Sequence, residues 1–145
     1  MSTELVYKGG WQHAATITQK LEGPIGDGEV FYPNGDHFKG VFHLSYANIY
    51  GPAYAAEGRY TFADGSYIEH AWIHTSKDKD PDWWGLHGVF RVQHPSPDVP
   101  DSIAMFLHGG RRYGFELVLD QNKPWVKEWY AGDEIVRYQG SDHLF

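Results

Sequence analysis

"GEVFYPNGDHFKGVF" at residues 28–42 is followed thirty residues later by "GRYTFADGSYIEHAW" at 58–72. With the chain laid out at that period, Gly28, Gly58 and Gly88 align, as do Val30, Tyr60 and Phe90, and Asn34-Gly35 falls on Asp64-Gly65. Asn-Gly and Asp-Gly are the dipeptides that a two-residue type I′ turn demands, because both of its central residues need positive φ. Each unit therefore reads as a β-hairpin. After the turns, "DHFKGVFH" and "SYIEHAWI" set Phe38, Gly40 and Phe42 opposite Ile68, His70 and Trp72. Upstream, "YKGGW" at 7–11 fits the same three positions with Tyr7, Gly9 and Trp11. A pattern met three times at matched offsets is a repeat. In its third copy a histidine stands where the others have glycine.

The rest of the chain agrees with a β protein. At 145 residues and 41% hydrophobic it has material for one core and is short for two ordinary domains. Aromatic residues at 17%, with 17 glycines and only 2 methionines, suit twisted strands and tight turns better than helices. A net charge of −7 disfavours nucleic acid or an anionic membrane as partner, since both need a cationic surface. The chain has no cysteine, so neither a disulfide framework nor thiolate chemistry is available. "MSTELVYKGG" lacks the basic start and apolar core of a leader, and no window approaches the length of a membrane span, so a soluble cytoplasmic protein is expected. "HPSPDVPD" at 94–101 holds three prolines and reads as a loop. Beyond it, "SIAMFLH", "YGFELVLD", "PWVKEWY" and "EIVRYQG" read as short strands bounded by turn signals. The charged run "SKDKDPD" at 76–82 reads as a solvated hairpin tip.

The segments "YKGGW" at 7–11, "GDGEVFYPNGDHFKGVF" at 26–42 and "EGRYTFADGSYIEHAW" at 57–72 together resemble the MORN repeat family, with an echo in "GLHGVFRV" at 85–92. The family pattern is aromatic-x-Gly-x-aromatic around a Gly-x-Gly strand and an Asp-Gly or Asn-Gly turn. The resemblance covers about half of the chain. It departs in the long links "HLSYANIYGPAYAA" and "IHTSKDKDPDWWGL", and in the third copy at Ile68 and His70. It implies a row of antiparallel hairpins forming a curved sheet, and a binding or scaffolding role.

Strict alternation along a strand puts Tyr7, Gly9, Trp11 and His13 on one face, with Phe38, Gly40, Phe42, Leu44 and Ile68, His70, Trp72, His74 as their equivalents. One face then gathers Trp11, Phe42 and Trp72 with His13, His70 and His74. There are nine histidines. His70 and His74 lie about 13 Å apart on a regular strand, too far to share an ion, and no H-x-H or H-E-x-x-H spacing exists, so no metal or other cofactor is assigned. His70 has two accounts, a packed imidazole bonded to backbone or a functional group. No serine sits in a nucleophile elbow and no phosphate-binding glycine loop occurs, so catalysis, if present, is proton transfer by a histidine. Aromatic candidates for ligand contact are Trp11, Phe42, Tyr54, Trp72, Trp83 and Trp84, whose bland alternative is core. Trp125 and Trp129 share a face and close the end of the array.

The expectation is therefore one all-β domain over 1–145, with MORN-like hairpin repeats over 7–92, closed by C-terminal strands over 102–140. Two functions stand against each other. One is a non-catalytic module presenting an aromatic sheet face to a protein, a small molecule or a carbohydrate, with free edges leaving room for a homodimer. The other is a small isomerase, cyclase or lyase whose catalytic histidines are His70, His74 and His13. An enclosed cavity walled by histidine favours the second, and a flat open aromatic face the first.

Overall fold

The structure, a computed structural model, describes residues 4–15, 20–48, 51–121 and 123–139. It is all-β, with two antiparallel sheets of five strands in sequence order. The first holds β1 (Val6–Ala15), β2 (Lys20–Phe31), β3 (His37–Asn48), β4 (Gly51–Thr61) and β5 (Tyr67–His74). The second holds β6 (Gly88–Val92), β7 (Ser102–Leu107), β8 (Arg111–Val118), β9 (Trp125–Tyr130) and β10 (Asp133–Gln139). The four C-terminal strands read from the sequence are thus present, as part of a second sheet. Loop 94–101 carries no strand, and Lys77 to Asp80 of the charged link are exposed. No helix among the described residues is long and apolar enough to cross a membrane.

The glycines of the repeat form one row across the first sheet. Gly9 pairs with Gly28, Gly28 with Gly40, Gly40 with Gly58, and Gly58 with Ala71. A Cβ built on Gly40 would lie 2.1 Å from the Glu57 carbonyl oxygen, and one on Gly58 2.2 Å from that of Lys39. Neighbouring backbones therefore meet at distances that no side chain allows. On Gly28 a Cβ would meet the rings of Tyr7 and Phe42 at 2.9 and 3.0 Å, so those rings lie across the row. On either side stand the apolar rows Tyr7–Val30–Phe38–Tyr60–Ile68 and Phe42–Ala56–Ile73. These residues make up most of the first sheet's share of the core, where Val30, Phe38, Ala56 and Ile73 have no exposed surface.

Two expectations need correction. The turns are not two-residue type I′ loops. Gly35 N donates to Tyr32 O at 3.0 Å and Tyr32 N to Asp36 O at 3.0 Å, a pattern repeated thirty residues on by Gly65–Phe62 and Phe62–Ser66. Gly35 and Gly65 have φ of +94° and +95°, whereas Asn34 and Asp64 are not among the positive-φ residues. This is a type I turn closed by a left-handed glycine, the form expected of a three-residue loop. Pro33 fits it because its fixed φ suits the first central position.

The second correction concerns faces. Tyr60 pairs with Ile68 and Gly58 with Ala71, so Arg59 alone on β4 spans what Glu69 and His70 together span on β5. This β-bulge resets the alternation. Ile68, Ala71 and Ile73 are buried, while His70, Trp72 and His74 are exposed on the opposite face. His70 therefore does not replace the motif glycine. It is an inserted residue, and Ala71 takes the glycine's place.

The link after β5 returns to cover the core. Asp80 caps a 3₁₀ turn, Pro81–Trp83, by accepting from Asp82 N at 3.0 Å. The turn leaves Trp83 63% exposed and drives Trp84 to 0%. Trp84 contacts Tyr7 and Phe42 at ring-centroid distances of 5.5 and 6.1 Å, donates Nε1 to Asp78 O at 2.6 Å, and accepts the Tyr32 hydroxyl on its carbonyl. At the other end of the seam, Arg112 lies over Phe62, Phe106 and Trp129 at 5.4, 5.5 and 5.2 Å. Buried Glu116 holds that guanidinium at 3.1 Å and accepts Trp129 Nε1 at 2.9 Å. Trp125 and Trp129 do share a face, with the Lys127 ammonium 5.3 and 5.8 Å from their rings.

The inserted-residue account separates two substitutions. Gly58→Ala is expected to destabilise by at least about 3 kcal/mol, because its methyl meets backbone that cannot rotate away. His70→Gly is expected to cost less than about 1 kcal/mol, since the imidazole is solvated and only strand entropy changes. Urea unfolding of both variants checks this, and a large loss in the histidine variant would restore a packing role for His70.

Candidate functional site: a histidine-walled pocket at the sheet junction

Segment 85–87 continues the first sheet beyond β5. Ile73 bridges Leu86, His74 N donates to Gly85 O at 3.1 Å, and His87 N to Trp72 O at 3.2 Å. Ile73 and Leu86 are both buried, so by alternation Trp72 and His87 face outward opposite each other, with His74 opposite Gly85. The His74 and His87 rings meet edge to face with centroids 4.5 Å apart. Gly85 has no side chain because the turn between β7 and β8 rests on it: a Cβ there would lie 2.3 Å from Gly109 C and Gly110 N. That turn forms the far wall.

The result is a pocket of about 280 Å³ lined by His74, Thr75, Asp82, Trp83, His87 and His108, with Gly85, Leu86 and Gly109 completing it. Thr75 is 6% exposed, and its hydroxyl oxygen has no hydrogen-bond partner in the protein. An unmet buried hydroxyl is costly, and this one has almost no accessible surface of its own. His108 adopts φ of +44°, uncommon for a residue with a side chain, and its carbonyl accepts Arg111 Nη1 at 3.0 Å. Arg111 Nη2 also meets Asp82 Oδ1 at 3.2 Å, tying the two walls together. Larger hollows exist, about 730 Å³ beside the charged residues 77–81 and about 470 Å³ on the apolar outer face of the second sheet. Neither combines titratable rings with an unpartnered buried donor.

Burial, and then the neighbouring charge of His87, hold the His74 imidazole below histidine's ordinary value. The folded state therefore takes up this proton less readily than the unfolded chain, whose histidines titrate near about 6.5. Stability is lost as pH falls through that region and is retained above it.

The residues singled out from the sequence fall into three groups. His74 and Trp83 line the pocket, and Trp72 stands beside it on the outer face, 38% exposed. Phe42 and Trp84 are in the core, and Trp11 is partly buried against it, with Lys79 Nζ 5.5 Å from its ring. Tyr54 is partly buried, its ring edge 2.7 Å from where a Cβ of Gly23 would stand. These rings build the fold rather than a presented face. His13 is 70% exposed at the far strand, 3.6 Å from Glu22, and His70 stands at the bulge. Neither lines the pocket, so the three histidines do not act together. His87, Thr75, Asp82 and His108 were not singled out. A signal existed for one of them: "WIH" at 72–74 and "GLH" at 85–87 flank a polar link and pair as a hairpin would. Among the described residues, no three His, Cys, Asp or Glu side chains are placed to hold a metal ion.

His87→Gln should raise the His74 titration midpoint without restoring it fully, because burial, the larger cause, remains. It should also flatten the loss of stability between about pH 7 and pH 5. Imidazole NMR titration of both proteins checks this, and an unmoved His74 would show that the ring contact carries no charge coupling. In comparisons with protein-family models, with curated proteins and with solved structures, nothing matches this chain.

Proposed function

We propose that the protein is a non-catalytic binding module built on a divergent MORN-type hairpin array, and that its ligand site is the histidine-walled pocket. The carrying observation is the pair of imidazoles, His74 and His87, that meet edge to face in an open pocket beside the exposed indole of Trp83. A module that presents its inner aromatic face is disfavoured, since Phe42 and Trp84 have almost no accessible surface. The MORN reading draws support from the thirty-residue period, the glycine row and the repeated turn hydrogen bonds. The ligand under this reading is a small polar molecule, and the module acts in the cytoplasm.

A second reading keeps the same pocket as an acid–base site. It is favoured by one observation, the burial of His74 against the His87 imidazole, which lowers its hold on a proton, as suits a general base.

Two experiments test these readings. Deleting His70 together with Ala71→Gly restores the uninterrupted glycine row, and the variant is expected to fold with an unchanged circular-dichroism spectrum. Its failure to fold would remove the array account. For the pocket, a panel of small polar compounds is screened by NMR, following the Trp83 indole and the His74 and His87 imidazoles. Binding is expected to weaken at least about tenfold in Trp83→Ala, through lost aromatic contact, with thermal stability kept. Ligands that bind elsewhere would overturn the pocket. Turnover of a bound compound that His74→Gln abolishes would instead establish the enzyme reading.

A further inference from the structure

We infer that the pocket takes a small carboxylate with a flat apolar body, the carboxylate held by the His74–His87 pair while the body lies against Trp83. This rests on the pocket being the ligand site. The polar groups that face the space are mostly donors or can become so. His74 and His87 offer two ring N–H groups within one ligand's reach, their centroids being 4.5 Å apart.

The surrounding charges agree. From β5 the titratable group facing the pocket is His74, from segment 81–87 they are Asp82 and His87, and from the β7–β8 turn it is His108. The one carboxylate among them, Asp82, is already neutralised by Arg111 at 3.2 Å. The histidine ion pairs seen among the described residues lie elsewhere, at His13–Glu22 and His37–Glu29. Protonated, the imidazole pair is thus a local positive centre lacking a counter-ion, and the two rings repel each other. A carboxylate bound to the pair offsets that repulsion. Trp83, 63% exposed at the rim, supplies a rigid ring for the rest of the ligand.

Anion binding and protonation are then linked. A carboxylate that requires one protonated imidazole binds about tenfold more weakly at pH 7.5 than at pH 5.5, given an ordinary histidine value near about 6.5. Benzoate keeps its charge across this range and benzamide is its neutral counterpart, so the pair isolates the anion term. The test is NMR titration of the full chain with each at both pH values. Benzoate is expected to shift the His74, His87 and Trp83 signals, to lose about tenfold in affinity as pH rises, and to lose its pH dependence only when both imidazoles are replaced, in His74→Gln/His87→Gln. Benzamide shifting the same signals with equal affinity would overturn the carboxylate inference and leave the pocket standing as a site. Binding of benzoate that is independent of pH would overturn it as well. If neither compound moves any pocket signal, the carboxylate inference falls with this class of ligand, and the compound panel alone then decides the pocket.

Discussion

The structure depends on a close approach of backbones. Across β1 to β4 the paired residues Gly9, Gly28, Gly40 and Gly58 carry no side chain, and a Cβ on Gly40 or Gly58 would sit about 2 Å from a carbonyl oxygen of the neighbouring strand. The row pins register, because a slip of one residue would bring a side chain into the same space. It also gives Tyr7 and Phe42 a surface to lie on, and these rings in turn hold Trp84. The apolar rows on both sides inherit their alignment from it.

At the last strand the row ends in Ala71, and the bulge at Glu69–His70 makes that ending compatible with burial. Were the same residues paired without the bulge, alternation would turn His70, Trp72 and His74 into the core and Ile73 out of it. With it, Ile68, Ala71 and Ile73 face inward and the imidazoles face water. A local irregularity thereby converts what would be buried polar rings into the wall of a pocket. Bulges commonly re-aim side chains in this way.

Each sheet is fastened by polar groups that satisfy each other. Asp36, beside the first turn, accepts the Tyr60 hydroxyl at 2.6 Å and Ala63 N at 2.9 Å, fastening one hairpin to the next. Burial first, with the Asp36 carboxylate among the further causes, pushes the Tyr32 and Tyr60 phenols well above their ordinary range, so both remain donors. Arg112 and Glu116 play the matching part in the second sheet. The contact of Gly85 with Gly109 and Gly110 brings the β7–β8 turn over β5, and the pocket exists only because of it.

Much of this was legible in the sequence. The thirty-residue period, the hairpins, the proline loop and the four C-terminal strands follow from turn dipeptides and apolar alternation, which are local. The turn type was misread because Asn-Gly serves two loop geometries; at the first turn Pro33 has no N–H to close a two-residue loop, but at the second Ala63 carries no such mark. The faces of His70, Trp72 and His74 were misread because a bulge adds one residue without any mark in composition. Of the pocket, His74 and Trp83 were named from the chain, whereas His87, Thr75, Asp82 and His108 come from three segments that no short-range pattern connects. The sequence by itself determined an all-β chain and the placement of its glycines, since these depend on backbone conformation and nearest neighbours. Only the tertiary structure decided which aromatic rings are core and which histidines meet, because that depends on strand register and on backbones approaching from distant parts of the chain.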